Sequence, residues 1–317
     1  VSGFRFLARR LAQGVLILWM VSSATFILMH LAPGGPSMLA DPKLGPVERA
    51  AIEARLGLDL PLPAQYVAWH RNLLKGDLGQ SYLYQTPAGS TVLARVPNTL
   101  LLAGSALLVS VLLAVPLGIR AGLRPGRPFD RLMEFVSVGA LSLPTFWYGI
   151  VLIMIFAAMG HLLPAGGTAT PGLEGSMVDR IRHLILPVAV LSLPIAGELF
   201  RYVRSGIEAM AHAPHIPAAR AKGLTEGAIT RRHLLRNALL PLVTVIGLQA
   251  PMLVGGAAIT ETVFSWPGMG RLGVEAALGR DYPVVMATTL AVAAAVVAGN
   301  VVLDLLYRWI DPRVRIE

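Results

Sequence analysis

The sequence contains no cysteine. Disulfides, thiolate metal sites and a cysteine nucleophile are excluded at once, with nothing implied about redox compartment. Charge is scarce as well. Only 14% of the 317 residues are charged, against about 25% in a soluble domain. Lysine occurs only at Lys43, Lys75 and Lys222, never followed by Ser or Thr, so no phosphate-binding Walker A loop is present. The seven histidines form no His-Glu-x-x-His pair, which argues against a zinc protease. His212 and His215 lie three apart with no further ligand type nearby and are read as interfacial side chains. No serine occupies a Gly-x-Ser-x-Gly elbow. Work against a gradient therefore has to be driven from outside this chain or by an ion gradient.

What is abundant is apolar sequence. Hydrophobic residues make up 55% of the chain and the mean hydropathy is +0.63. Six apolar segments, at 11–31, 99–119, 132–159, 184–202, 238–258 and 284–307, are each long enough to cross a bilayer as a helix. The first is longer than the apolar core of a secretory signal and is read as a retained span. The formal charge of +9 would raise nucleic acid as a partner of a soluble protein. Here it is read as membrane orientation, with no nucleic acid expected.

With the N-terminus in the cytoplasm, the inner segments carry most of the 27 basic residues. They are Arg5, Arg9 and Arg10; Arg120, Arg124, Arg127 and Arg131; Arg201, Arg204, Arg220, Lys222, Arg231, Arg232 and Arg236; and Arg308, Arg313 and Arg315. The outer stretch 33–95 carries Asp41, Glu48, Glu53, Asp59 and Asp77 against its own basic residues. The positive-inside rule then places both termini in the cytoplasm.

Stretch 33–95 is too long for a plain turn. It predicts a helix over 46–56, opened by Pro46, and another over 65–74 with Tyr66, Trp69 and Leu73 on one stripe. These helices pack on the outer ends of the spans or receive a partner. The second outer loop, 160–183, is rich in Gly, Pro and Thr and reads as irregular. Carboxylates at membrane depth need an account. Glu198 stands three residues before Arg201 and Asp304 four before Arg308, spacings that suit ion pairs near the interface. Glu261 ends the fifth segment. None is clearly central and no internal repeat is evident, which disfavours an ion-coupled secondary transporter. The missing nucleophile and metal motifs disfavour an intramembrane enzyme.

The loop between the fourth and fifth segments reads Pro217-Ala-Ala-Arg-Ala-Lys-Gly223, then Leu224, then Asn237-Ala-Leu-Leu-Pro241. Ala218, Ala219 and Ala221 favour helix and occupy little space. Ala219 and Gly223 fall on one face, Gly223 suits a left-handed stop, and Arg220 and Lys222 supply charge. Pro217 marks the expected helix start. This loop resembles the coupling loop of ABC importer permeases. Its ending resembles in particular the dipeptide/oligopeptide/nickel permease family. Further matching segments are Gly76-Asp-Leu-Gly-Gln-Ser81, Arg95-Val-Pro-Asn-Thr-Leu100, Phe264-Ser-Trp-Pro-Gly-Met-Gly270, Arg280-Asp-Tyr-Pro283, Asp304-Leu-Leu-Tyr307 and Asp311-Pro-Arg313. Their order spans nearly the whole chain. Pro217 stands where that loop carries an acidic residue, and Pro214 and His215 where similar permeases carry an acidic-aromatic pair. The large segment after the first span resembles the first of the family's two permease subunits.

The resemblance implies an all-α integral membrane fold with six transmembrane helices, the type I ABC importer permease fold. Residues 1–94 would hold the first span and the extracytoplasmic segment. Residues 95–308 would form the transmembrane domain, with a cytoplasmic coupling loop at 209–236, and 309–317 a cytoplasmic tail. The implied function is the translocation pore of a binding-protein-dependent importer, for di- or oligopeptides, in a bacterial inner membrane. No residue would be catalytic and no cofactor would be bound here. ATP and Mg would sit on separate ATPase subunits, contacted through Pro217, Ala218, Ala219, Arg220, Ala221, Lys222 and Gly223. The other implied partners are a homologous second permease, an extracytoplasmic substrate-binding protein and membrane lipid.

Overall fold

The computed structural model describes residues 3–310 apart from 34, 41–43, 212, 214, 230–241, 243, 244, 250–252, 254 and 256. Among the described residues the regular structure is helical. The elements are α1 (Gly3–Leu31), a 3₁₀ turn (Ser37–Ala40), α2 (Pro46–Leu56), α3 (Leu62–Leu73), α4 (Ala88–Leu93) and α5 (Val96–Gly122). Then follow α6 (Pro128–Ser142), α7 (Thr145–Leu152) with its π-helical continuation (Ile153–Met159), α8 (Met177–Ala211), α9 (His215–Ala221) and α10 (Glu226–Ile229). The last three are α11 (Ala258–Val263), α12 (Met269–Leu278) and α13 (Tyr282–Ile310).

Four helical stretches are long and apolar enough to cross a membrane: Ala8–Leu31, Ala88–Gly122, Met177–Ala211 and Tyr282–Leu305. Their outward faces carry exposed apolar side chains such as Val15, Leu28 and Leu112, as a lipid solvent demands. The expected third span is not one continuous helix. α6 and the α7 stretch meet at 105°. The break falls at Pro144, which caps α7, with Leu143 extended at φ −96° and ψ 140°. Proline disfavours the helical conformation of the residue before it. Counted as one span, this pair makes five. Residues 245–249 are helical, but most of the expected segment 238–258 lies outside the described residues.

The chain divides into two compact units, residues 1–99 with 267–298, and residues 100–266 with 299–317. In the first unit α3 runs antiparallel to α1. Tyr66 OH and Ser23 Oγ share a 2.7 Å hydrogen bond, His70 Nε2 lies 3.3 Å from Ser22 Oγ, and His30 Nε2 lies 3.1 Å from Gln65 Oε1. The Phe26 ring meets Tyr66 edge-on at 5.4 Å. α2 has the expected bounds, with Pro46 in its first turn and Gly57 closing it. α3 begins earlier than expected, at Leu62, because Pro61 and Pro63 fit an entry turn where backbone donors have no helical partner.

In the second unit α8 is the central element. It runs unbroken through Pro187 and Pro194. The α5 side is joined by Ser110 Oγ, which donates to Ser192 O at 3.0 Å. The α6 side is joined by Ser137 Oγ, which donates to Gly197 O at 2.9 Å. Around it Leu102, Ala106, Ala114, Leu199, Phe200, Val203 and Trp266 form a buried apolar cluster.

Candidate functional site

The coupling-loop motif occupies one end of the second unit. Residues 215–221 form the short helix α9, and Gly223 follows with φ +77°. That conformation is open to glycine and costly for a residue with a Cβ. Lys222 N–H closes the last turn on Ala218 O at 3.2 Å. Thr225 then caps α10. The helix starts at His215, two residues before the expected Pro217. The missing donor of Pro217 is harmless anywhere in a first turn, because those N–H groups have no helical partner, so proline alone does not locate the start.

One side chain anchors α9. Ile216 is fully buried, and it shares the apolar cluster with Ile207 of α8, Ala121 of α5 and Ile229 of α10. Pro217, Ala218, Ala221, Lys222 and Gly223 are exposed, while Ala219 and Arg220 belong to the same helix. The result is a small-residue helix with an apolar root and side chains exposed at Pro217, Ala218 and Ala221, the form suited to insertion into a groove on another protein.

About two turns before the end of α8 lies a charged cluster that the sequence does not announce. Asp130, in the first turn of α6, is almost completely buried. Arg204 of α8 grips it with both arms of the guanidinium. Nε donates to Asp130 Oδ1 at 2.5 Å and Nη2 to Oδ2 at 2.8 Å. Gly126 N–H donates to Oδ2 at 2.8 Å, and Arg204 Nη1 reaches Glu208 at 3.1 Å. The neighbouring Arg120 lies over the Phe129 ring at 4.6 Å. Asp130 sits at the edge of an apolar run, so a scan for carboxylates inside spans passes it by. The usable signal is an Asp two residues after Pro128, where a helix N-terminus favours negative charge. Of the carboxylates flagged inside spans, Glu198 accepts from Gln249 Nε2 at 2.6 Å. Its described partner is therefore this residue of the next helical stretch and not Arg201, which lies exposed.

In the first unit, motifs that look scattered in the sequence meet in space. Asp281 is fully buried and accepts from the Ser81 hydroxyl, from Leu83 N–H at 3.1 Å and from Val284 N–H at 3.4 Å. It thereby caps α13 and fastens segment 76–84 to segment 279–284. Tyr84 OH donates to Glu275 at 3.2 Å beside this junction. Burial pushes the Tyr82 hydroxyl well above its ordinary pKa, with Asp281 and Tyr282 adding to the shift. The second pairing joins Asn98 and Thr99 to Pro267 and Met269. Asn98 Nδ2 donates to Pro267 O at 3.0 Å, and Met269 N–H to the buried Thr99 Oγ1 at 2.8 Å. The irregular loop 160–176 of the second unit is likewise held by residues not singled out from sequence. Asp179 accepts from Thr170 N–H at 2.6 Å and from its hydroxyl at 2.9 Å, and His183 Nδ1 lies 2.9 Å from Gly166 O.

Residues 114–316 match the family described as "Binding-protein-dependent transport system inner membrane component", and residues 3–103 match the N-terminal component of such systems. The chain is 38% identical to the oligopeptide transport system permease protein AppB of Bacillus subtilis, over 98% of both chains. It is 36% identical to the dipeptide transport system permease protein DppB of Escherichia coli, again over 98% of both. To the di/tripeptide transport system permease protein DppB of Pseudomonas aeruginosa it is 37% identical, with the same coverage. A chain of the MetNI methionine ABC transporter, solved in inward-facing conformations, superposes with a TM-score of 0.53 at 20% identity, covering 69% of this chain and 96% of its own. That likeness supports the fold alone. Motifs, helical architecture and full-length relatives converge on one assignment: the chain belongs to the family of binding-protein-dependent transport system inner membrane components and is a permease subunit.

Proposed function

We propose that this permease subunit forms one half of the translocation pore of an ATP-driven importer of di- or oligopeptides. A homologous second permease completes the pore, two ATPase domains supply the energy from the cytoplasm, and an extracytoplasmic binding protein delivers the cargo. The observation that carries the reading is α9, an exposed helix of small residues rooted by Ile216 at the end of α8. With no phosphate-binding loop in the chain, energy from ATP has to arrive through a contact, and this helix has the form of one. Peptide as cargo rests on relatives that match almost end to end and are named as oligopeptide, dipeptide and di/tripeptide permeases.

In this reading 1–94 is the first span plus the extracytoplasmic segment, 95–308 the transmembrane domain and 309–317 a cytoplasmic tail. Both termini face the cytoplasm. The antiparallel pairing of α6 with α8 fits that alternation. α2 and α3 present a surface to the binding protein.

Reconstitution tests the function. The chain, its second permease and the ATPases are placed in liposomes with the binding protein. Peptide uptake should require both ATP and binding protein. Uptake by this chain alone, driven by a proton or sodium gradient and indifferent to ATP, would contradict it and favour an ion-coupled carrier. Orientation has its own test, since any introduced cysteine is the only one. A membrane-impermeant thiol reagent should label Leu74→Cys in intact cells and spare Gly227→Cys. Reversed labelling would invert the topology.

A further inference from the structure

We propose that Asp130 and Arg204 are positioning residues for transport: their buried pair makes the start of α6 follow the coupling helix when the ATPases move it. The inference rests on the reading of α9 as the ATPase contact.

The path from α9 is short. α8 ends at Ala211 and α9 begins at His215, so Arg204 lies about two turns from the end of α8. Ile207, Ile216 and Ile229 are all fully buried in one cluster. α9, α10 and the end of α8 are thereby joined by packing. The end of α5 is joined too, because Gly122 approaches so closely that an added Cβ would stand 2.6 Å from Arg204 O. The start of α6 packs on the same cluster through Phe129 and Met133, and Ser137 ties it to Gly197 further along. Its continuation into α7 is broken at 105° around Leu143 and Pro144, so α7 does not fix its direction. To that packing the bidentate grip of Arg204 on Asp130 adds a directional link.

Simple cohesion does not call for a charge at this place. A buried ion pair adds little net stability over apolar side chains of the same shape, and its best-attested use is to fix register. Apolar ridges between packed helices can slip by a turn and re-engage. A planar guanidinium held at three atoms by Asp130 and Glu208 cannot slip without leaving Asp130 buried and unpaired. The pair therefore holds α6 and α8 in one register while both swing with α9.

The test uses the complete importer in liposomes, with peptide uptake and phosphate release measured in the same vesicles. The variants are Asp130→Asn, Arg204→Lys and the two together. Lysine keeps the charge but cannot grip two oxygens at once. Each single variant should lower the ratio of peptide imported to ATP hydrolysed by about tenfold, within the range of a coupling free energy. The double variant should do no worse than either single one. If uptake and hydrolysis fell in the same proportion, or in proportion to assembled complex, the pair would be a structural staple and the proposal overturned. If the unmutated complex showed no ATP-dependent uptake, the importer reading itself would fail, which is a distinct result. Should the variants not assemble, spin labels at Arg131→Cys on α6 and Gly227→Cys on α10 decide the matter in the unmutated pair. Their separation should change by no more than about 2 Å between nucleotide-free and ATP-bound states, whereas a shift of about 5 Å, one helical turn, would show that α6 does not follow.

Discussion

Two carboxylates, Asp281 in the first unit and Asp130 in the second, are almost equally buried, yet they are satisfied in opposite ways. Asp281 takes neutral donors, a hydroxyl and two backbone N–H groups. Asp130 takes a guanidinium by both oxygens and one backbone N–H. The difference follows from what each one joins. Asp281 closes a junction between two loops whose backbones are already shaped by turns, so an acceptor in the right place is enough. Asp130 joins two long helices, which can slide, and direction has to come from the partner side chain.

The largest effect expected from this contrast is on stability at Asp130. Arg204→Ala leaves a buried carboxylate with no cation and only the Gly126 N–H, and should destabilise the subunit by about 3–5 kcal/mol. Thermal unfolding of the purified subunit in detergent measures this. Asp130→Ala with Arg204→Met should recover most of the loss, since apolar replacement of a whole buried pair is often neutral. A double variant as unstable as Arg204→Ala would mean that the charge itself holds the fold. At Asp281 a smaller loss is expected. Asp281→Ala removes a helix cap, at about 1 kcal/mol, and strands two donors at about 1 kcal/mol each. Asp281→Asn keeps an acceptor oxygen and should cost about 1 kcal/mol or less. Equal damage from the alanine and asparagine variants would erase the distinction between the two sites.

At the end of α9, Gly223→Val should cost roughly 1 kcal/mol or more in local strain and place volume at the proposed contact. Uptake and binding-protein-stimulated ATP hydrolysis should fall together while the spans still insert. Pro217→Ala should be mild, because the first turn needs no donor from residue 217. Wild-type activity in Gly223→Val would remove the loop from the coupling path. The smallest effect concerns pH. The Tyr82 hydroxyl is held neutral above its ordinary value of 10.0. Its contribution to the junction of 76–84 with 279–284 is therefore whole below about pH 10 and is lost as pH rises from there toward the folded value. Limited proteolysis of segment 76–84 should accelerate above that pH in the wild type, and Tyr82→Phe should flatten the dependence.

Much of this was legible in the sequence, and the failures have physical causes. The bounds of α2 follow from Pro46 and Gly57, and the helix–glycine form of the coupling loop from its alanines and Gly223. The break at Leu143 was not legible, because periodicity does not separate a tolerated proline from a disruptive one. Pro116 is exposed in α5 and Pro187 is buried in α8, and both helices continue. At Pro144 the preceding Leu143 is extended, and there the helix breaks. The motifs containing Ser81 and Asp281 were visible, but their pairing was not, because nothing local relates residues two hundred positions apart. Asp130 was missed because its importance lies in Arg204, on another helix.

If α9 is the surface through which ATP hydrolysis reaches the spans, as proposed, it touches the ATPase subunit. Lacking native cysteine, the chain can report on that directly. A single cysteine at Ala221, exposed on α9, is paired with single cysteines along the groove of the ATPase subunit and oxidised in the assembled complex. A disulfide to the ATPase from Ala221→Cys, with none from Leu74→Cys in the segment after the first span, is the expected result. A cross-link from Leu74→Cys and none from Ala221→Cys would contradict the claim.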